Sequence, residues 1–226
     1  MADLKLWHCH SSRSLRPLWT LEEMGLDYEL VLLPFPPRMF QKEYLGTNVL
    51  GTIPYFEDRT GGADINMTES SAICSYLTER HGHVAKSDLS IPKDHHDYGD
   101  YLNWLYHSDA TLLFPQTIVM RYTHLEPPER KLPQAVEDYG QWYIARLRRL
   151  DAHLADGKQF LCADKFSIAD ICIAYSLYFG DALGLSEHYQ PQTLDYMQRM
   201  VARPAFEKIK PLGADLNPFA DLLTKS

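Results

Sequence analysis

The sequence has no excess of basic residues, few cysteines and no long apolar run. Lys and Arg number 22 against 30 Asp and Glu, and the net charge of -8 disfavours nucleic acid or an anionic membrane as a partner. The 4 cysteines, none in a C-x-x-C pair, are too few for a disulfide framework. No stretch approaches the roughly 18 apolar residues of a membrane span, and the first residues lack the pattern of a secretory signal. These absences predict a cytoplasmic protein.

The residues that are present suffice for a folded core, and their pattern differs between the two halves of the chain. Hydrophobic residues make up 45% of the 226 residues. The first eighty residues mix short apolar runs with helical spacing, which predicts a small α/β domain. Its predicted strands cover residues 4–9, 28–33, 53–57 and 65–67, and its predicted helices cover 14–24, 40–45 and 70–80.

The second half is predicted to be helical throughout. A polar stretch over residues 82–96 is typical of a linker, and apolar and aromatic residues recur at helical spacing after it. We therefore expect an α/β domain over 1–81, a linker over 82–96 and an all-α domain over 97–226. Helices are predicted near 98–106, 139–154, 168–183 and 194–201.

Four short motifs combine polar residues with predicted element starts. A helix N-terminus attracts anions, and a serine there can donate to a thiolate. Lowering a thiol pKa of about 8.5 by one unit requires roughly 1.4 kcal/mol of selective thiolate stabilisation. In the last motif, Ser167 and Asp170 have the spacing of a capping box, which is evidence on folding. The motifs are His10-Ser11-Ser12-Arg13-Ser14, Gly51-Thr52-Ile53-Pro54, Thr68-Glu69-Ser70-Ser71 and Phe166-Ser167-Ile168-Ala169-Asp170.

In their order and spacing, these motifs resemble the cytosolic glutathione transferase superfamily, in particular bacterial members with a catalytic serine. The resemblance implies a thioredoxin-like N-terminal domain, an all-helical C-terminal domain and glutathione as co-substrate. It also implies a homodimer. The implied activity is attack of the glutathione thiolate on a hydrophobic, aromatic electrophile, by substitution, conjugate addition or ether cleavage. Glutathione-dependent isomerisation and a non-catalytic, transferase-like binding protein are the alternatives.

The resemblance also implies roles for individual residues. Ser11 is the first candidate for the catalytic serine, and Ser12 and Ser14 are the others. Pro54 is expected to follow a cis bond that turns the Ile53 backbone toward glutathione. Glu69 and Ser70 are expected to hold the γ-glutamyl end, whereas Arg38, Gln41 and Lys42 are alternatives for the glycyl carboxylate. The candidates for the electrophile site are His10, Tyr101, Trp104 and His107.

Helix geometry limits how many of the aromatic side chains near residue 104 can point into the protein. Tyr101, Trp104 and Tyr106 cannot all face inward on one helix, so at least one is expected to be exposed or to line a cleft. Neighbouring histidines, such as His95 and His96 beside Asp97, lack enough further ligands in the sequence for a metal site. We therefore predict that no metal is bound.

Overall fold

The computed structural model describes residues 3–216, so the last ten residues of the predicted helical domain lie outside the described residues. The chain divides into two units within this range. One unit comprises residues 3–90 and 202–216, and the other comprises residues 91–201. No helix in the described range is both long and apolar enough to cross a membrane.

The first unit is built on a four-stranded sheet in which all four predicted strands are present. The strand order is β2-β1-β3-β4. β1 pairs with β2 in parallel, and the β1–β3 and β3–β4 pairs are antiparallel. The third strand begins two residues later than predicted, after Pro54, which has no N–H for the ladder. The strands are β1 (Leu4–His8), β2 (Glu29–Leu32), β3 (Tyr55–Asp58) and β4 (Ile65–Met67).

Three α-helices lie within the described residues 3–90, and their ends follow local sequence signals. Helix α1 (Leu15–Met24) ends at Gly25, whose φ of 65° is the left-handed conformation that favours glycine. Helix α3 (Ser70–His81) matches its prediction closely. The helix predicted over 40–45 is instead the short helix α2 (Pro37–Phe40) followed by a 3-10 turn, because a proline at its first position starts the helix earlier.

The second unit is helical, as predicted, and is organised around one buried helix. Helix α8 begins with the predicted capping box, in which the Ala169 N–H donates to Ser167 Oγ and the Ser167 N–H donates to Asp170 Oδ2. Two π-helical segments, absent from the sequence prediction, flank α5. The helices are α4 (Tyr98–Tyr106), α5 (Phe114–Met120), α6 (Pro133–Arg146), α7 (Arg148–Ala155), α8 (Ile168–Ala182) and α9 (Pro191–Val201).

The C-terminal segment returns to the first unit. Helix α10 (Pro204–Ile209), which the sequence patterns did not predict, packs on α1 with the Trp19 and Phe206 ring centroids 4.6 Å apart. The Arg203 guanidinium donates to both carboxylate oxygens of Glu23, at 2.7 and 2.9 Å. The sequence-based boundary assigned this segment to the helical domain, whereas in the structure it groups with residues 3–90.

Gly180 in α8 leaves room for a buried polar cluster, which gives a first prediction. A Cβ at Gly180 would collide with the Tyr189 hydroxyl and would lie 2.8 Å from the Tyr143 hydroxyl and 3.0 Å from Gln116 Nε2. The Gln116 side-chain amide donates to the Ser176 carbonyl at 2.7 Å, and the Tyr189 hydroxyl donates to the Leu177 carbonyl at 2.9 Å. Both carbonyls belong to α8. We expect Gly180→Ala to lower the free energy of unfolding by about 1–3 kcal/mol, since the added methyl group overpacks the core.

The matched control is Gly99→Ala in α4, where a Cβ would meet no atom within 4 Å. This substitution should raise the free energy of unfolding by about 0.5–1 kcal/mol through the helix preference of alanine. Urea denaturation of both variants, followed by circular dichroism, would measure the two effects. Equal effects of the two substitutions would refute the packing argument.

Candidate functional site

Two chain segments meet at one end of the sheet because β1 and β3 are antiparallel. Trp7, near the end of β1, is opposite Tyr55 at the start of β3. The residues that follow β1 and those that precede β3 therefore lie at the same end. Ile53 and Cys9 belong to one buried cluster there. The Ile53–Pro54 bond is cis, which confirms the conformation that the resemblance implies.

The serines follow β1 in a tight turn that leads into α1. Ser11 has a left-handed φ of 55°, and the Ser12 N–H donates to the Cys9 carbonyl at 3.2 Å. This turn places the Ser12 and Ser14 hydroxyl oxygens 2.7 Å apart. Ser14 is fully buried and Ser11 is 5% exposed, whereas Ser12 is partly exposed. Of the three candidates, Ser12 therefore offers the most surface to a ligand.

The two histidines that flank Cys9 are both buried. His8 Nδ1 lies 2.7 Å from Ser14 Oγ, and burial lowers the pKa of His8 to about 3. His10 Nδ1 lies 3.3 Å from the Leu212 carbonyl oxygen of the returning C-terminal segment. Burial also lowers the pKa of His10, although the Leu212 carbonyl opposes this effect. Both imidazoles are therefore neutral at physiological pH.

Two arginines connect the start of α1 to the start of α3. Arg13 Nη1 lies 3.7 Å from a carboxylate oxygen of Glu69, whose side chain is 66% exposed. Arg16 is fully buried, and its Nη1 donates to the hydroxyls of Ser70 and Ser71 at 3.3 and 3.2 Å. The structure thus brings Glu69 and Ser70 close to the serine turn, an arrangement that motif spacing alone does not establish.

The loop before Pro54 is held by two residues that sequence reasoning missed. The Tyr44 hydroxyl and the Asn48 side-chain amide donate to the Thr52 carbonyl, at 2.8 and 2.9 Å. Neither residue belongs to a motif, so no sequence signal marked them. Arg38 lies beside this loop, since a Cβ at Gly51 would be 2.8 Å from the Arg38 Cβ. Gln41 and Lys42, the other candidates for the glycyl carboxylate, are exposed on the adjoining turn.

Two of the three predicted electrophile-site residues of the helical unit are buried, and the third, His107, is partly exposed. Tyr101 is 5% exposed and Trp104 is 1% exposed. Trp104 packs edge-on against His107 and lies under the Arg149 guanidinium. Burial, followed by the nearby Arg149, lowers the pKa of His107. Tyr101 and Trp104 are therefore part of the buried interior of the helical unit. Tyr106 is 71% exposed, which confirms that the three aromatics do not all face inward.

The histidines near the start of α4 have structural partners. His95, His96 and Asp97 place ligand atoms within 4.8 Å of one another. The Asp97 N–H donates to His95 Nδ1 at 3.1 Å, and the Ala163 N–H donates to an Asp97 carboxylate oxygen at 2.7 Å. His95 and Asp97, two of the three candidate metal ligands, are therefore already engaged in hydrogen bonds near the start of α4.

Both halves of the chain match family models. Residues 2–79 match the glutathione S-transferase N-terminal domain, and residues 120–204 match the glutathione S-transferase C-terminal domain. The two matches together cover more than half of the sequence. The chain belongs to the glutathione S-transferase family. Its first unit is therefore a thioredoxin-like domain and its second the family's helical domain.

Individual relatives are similar along nearly the whole chain. The glutathione S-transferase-like protein gedE of Aspergillus terreus is 28% identical, covering 92% of this chain and 95% of the relative. The tetrachloro-p-hydroquinone reductive dehalogenase of Sphingobium chlorophenolicum is 26% identical, over 86% and 90% of the two chains. The crystal structure of glutathione transferase URE2P6 from Phanerochaete chrysosporium, in complex with oxidized glutathione, superposes with a TM-score of 0.79. It is 26% identical and covers 95% of this chain and 98% of its own.

Proposed function

We propose that this glutathione S-transferase family member is a serine-type transferase that activates glutathione as a thiolate for attack on a small hydrophobic, aromatic electrophile. The observation that carries the proposal is the convergence of three features at one end of the sheet. These features are the serine turn, the cis bond before Pro54, and the start of α3. A relative that binds oxidized glutathione supports glutathione as the co-substrate.

Ser12 is our choice for the group that donates to the thiolate. It lies in the last turn before the ten-residue helix α1, whose N-terminus carries a partial positive charge. It is more exposed than Ser11 or Ser14. Ser11, the first candidate from the sequence, remains the alternative. The role of Ser14 is then to support Ser12, because its buried hydroxyl lies 2.7 Å from both Ser12 Oγ and His8 Nδ1.

The remaining parts of glutathione match the charges around the serine turn. The exposed Glu69 carboxylate suits the α-ammonium group, and the Ser70 hydroxyl with the first N–H groups of α3 suits the α-carboxylate. The buried Arg16 beneath Ser70 adds positive charge under this carboxylate. Ile53 would pair with the cysteinyl backbone, as an added strand does. For the glycyl carboxylate we favour Arg38 over Gln41, because it lies beside the loop that precedes Pro54.

The cysteine nearest the proposed site does not support disulfide chemistry. Cys9 is fully buried, and its Sγ lies 3.5 Å from the Pro34 carbonyl oxygen. Burial raises the pKa of the Cys9 thiol, so it is protonated at neutral pH and is a poor nucleophile. This supports a reaction in which glutathione is the attacking thiol, by substitution, conjugate addition or cleavage of an aryl ether. The helical domain, proposed as 97–226, would line the electrophile site together with His10.

Assembly and location are part of the same proposal. We propose a homodimer and a cytoplasmic location, with no nucleic acid, membrane or metal involved. Multi-angle light scattering would measure the assembly state. These properties do not affect the assignment of the thiol site, which rests on residues of one chain.

The central experiment is a titration of bound glutathione, monitored by the ultraviolet absorbance of the thiolate. In the wild type we expect the thiol pKa to fall about one unit or more below its free value of about 8.5. Ser12→Ala should return it close to the free value, because the donor to the thiolate is lost. The rate with an activated chloroarene at neutral pH should fall several-fold, because a smaller fraction of the bound glutathione is then thiolate.

Ser11→Ala is the matched control, since it removes the same hydroxyl one residue away. It should leave the thiol pKa lowered if Ser12 is the donor. The reverse result would assign the role to Ser11. Glutathione binding by the wild type without any lowering of the thiol pKa would favour the non-catalytic binding protein, and return of free thiol during turnover would indicate an isomerase.

A further inference from the structure

A chain of two short hydrogen bonds connects strand β1 to the serine proposed to hold the thiolate. His8 Nδ1 lies 2.7 Å from Ser14 Oγ, which in turn lies 2.7 Å from Ser12 Oγ. His8 and Ser14 are both fully buried, and Ser12 is partly exposed. The chain therefore runs from a buried imidazole to the surface where the ligand would bind.

The hydrogen-bonding capacity of Ser14 limits the directions that this chain can take. A hydroxyl has one proton to donate and two lone pairs that accept. The Cys9 N–H occupies one lone pair, at 3.3 Å. The Cys9 carbonyl, at 3.5 Å, is a much poorer acceptor than the two contacts at 2.7 Å. Either His8 donates to Ser14 and Ser14 to Ser12, or both donations run in the opposite direction.

The surroundings of the imidazole favour the first direction. Because burial lowers the pKa of His8 to about 3, the ring carries a single proton at neutral pH. Nε2 is buried without a hydrogen-bond partner. The Leu212 carbonyl raises the His8 pKa as a backbone acceptor and His10 lowers it, but no acceptor meets the distance and angle of a hydrogen bond to Nε2. A buried N–H without an acceptor is rarer than a bare acceptor, so the proton belongs on Nδ1.

We propose that His8 is a positioning residue, which as the Nδ1–H tautomer donates to Ser14 and thereby directs the Ser12 hydroxyl outward to the glutathione thiolate. The Ser14 N–H also donates to Ser12 Oγ, at 3.4 Å. Both lone pairs of Ser12 are then occupied, and its proton is available only to the ligand. In the opposite direction, Ser12 would donate inward and present a lone pair that repels a thiolate. No proton is transferred in this arrangement.

This inference rests on the proposed function, but its first test does not need glutathione. The full-length protein, labelled with 15N-histidine, would give ring-nitrogen chemical shifts that identify the tautomer of each imidazole. Comparison with His8→Asn assigns the His8 signals. We expect a protonated Nδ1 and a bare Nε2 at neutral pH. A protonated Nε2 on His8 would overturn the proposal.

The second test measures the bound thiol pKa in His8→Leu and His8→Asn. Leucine cannot donate to Ser14, so the thiol pKa should rise by about one unit, a tenfold loss of thiolate stabilisation, with little change in glutathione affinity at low pH. Asparagine retains a donor near the position of Nδ1 and should keep most of the lowered pKa. A purely structural role would affect stability in both variants without this difference in thiol pKa.

The outcomes separate the two proposals. An unchanged thiol pKa in His8→Leu, together with a raised value in Ser12→Ala, would refute the role of His8 and leave the proposed function standing. An unlowered thiol pKa in the wild type would refute the proposed function, while the tautomer of the unliganded protein would still decide the direction of the chain. If His8→Leu does not fold, the His8 tautomer in the wild type and the bound thiol pKa in His8→Asn still test the proposal.

Discussion

Replacing Asp170 by alanine should lower the free energy of unfolding by about 3–5 kcal/mol, the largest effect that we expect in the helical unit. The carboxylate is fully buried at the start of α8 and accepts four hydrogen bonds. One oxygen accepts from the Leu161 N–H at 3.0 Å and the Tyr196 hydroxyl at 2.8 Å. The other accepts from the N–H and hydroxyl of Ser167, at 2.9 and 3.1 Å. Alanine would leave all four donors without this acceptor.

The four donors explain why a buried carboxylate is tolerated here. Burial raises the pKa of Asp170 to about 6, and the donations from Tyr196, Leu161 and Ser167 oppose that rise. The cost of the variant is therefore mainly that of the unsatisfied donors rather than of a lost charge. Asp170→Asn should also destabilise, because its amide nitrogen would face donors on one side.

Urea denaturation at neutral pH would measure these changes. Asp195→Ala is the matched control, because Asp195 is exposed on α9 and pairs with Arg199 at 2.9 Å. Its effect should stay within about 0.5 kcal/mol, as for most surface substitutions. A loss below about 1 kcal/mol in Asp170→Ala would contradict the account, since it is less than one buried, unsatisfied donor is expected to cost.

This capping box could be predicted from the sequence because its interactions are local. Ser167 and Asp170 are three residues apart, a spacing that any helix start brings within hydrogen-bond distance. The turn at Gly25 and the four strands are also encoded by neighbouring residues. For the same reason, the polar residues at the starts of α1 and α3 could be recognised as candidates before their arrangement was known.

The choice between Ser11 and Ser12 could not be made from the sequence. It depends on the left-handed φ of Ser11 and on the contact of Ser14 with His8, and neither follows from residue type. The Leu212 carbonyl that faces His10 is 202 residues away along the chain. Such contacts arise only when the C-terminal segment packs on the first unit.

The aromatic pattern in α4 was ambiguous for a different reason. Spacing identifies which residues share a helix face, but a core and a pocket use the same faces. Trp104 is almost fully buried among side chains of the helical unit, whereas Tyr106 on another face of α4 is exposed. A core residue and a pocket residue on such a helix can therefore be distinguished only by how much of each side chain is exposed in the folded protein.

In the first unit we expect the largest loss of stability from Asp58→Asn, about 2–4 kcal/mol. Asp58 ends β3 and is fully buried. One carboxylate oxygen accepts from the N–H and hydroxyl of Thr60, at 2.7 and 2.6 Å. The other accepts from the Tyr76 hydroxyl at 2.7 Å and lies 2.8 Å from His81 Nε2. The side-chain amide of asparagine would point its N–H groups at two of these partners, which are themselves donors.

The same hydrogen bonds make the stability of the wild type depend on pH. Burial alone would raise the pKa of Asp58, but donation from Thr60, Tyr76 and His81 outweighs it and lowers the pKa to about 2. Because the folded value is below the unfolded value of about 3.9, the contribution is fully present above pH 4 or so and is lost as the pH falls toward 2. The free energy of unfolding of the wild type should therefore approach that of Asp58→Asn as the pH falls from about 4 to about 2.

Asp58 also links stability to the proposed glutathione site, because Tyr76 and His81 belong to α3 while Asp58 ends the strand that follows Pro54. We expect Asp58→Asn to weaken glutathione binding several-fold, since the first turn of α3 carries Ser70. Asp64→Asn, on an exposed side chain that pairs with Arg59 at 3.2 Å, is the matched control and should change neither property. Denaturation from pH 2 to 7 and calorimetric titration with glutathione would measure both. A stability difference that stays constant down to pH 2 would show that the Asp58 carboxylate does not stabilise the fold through these bonds.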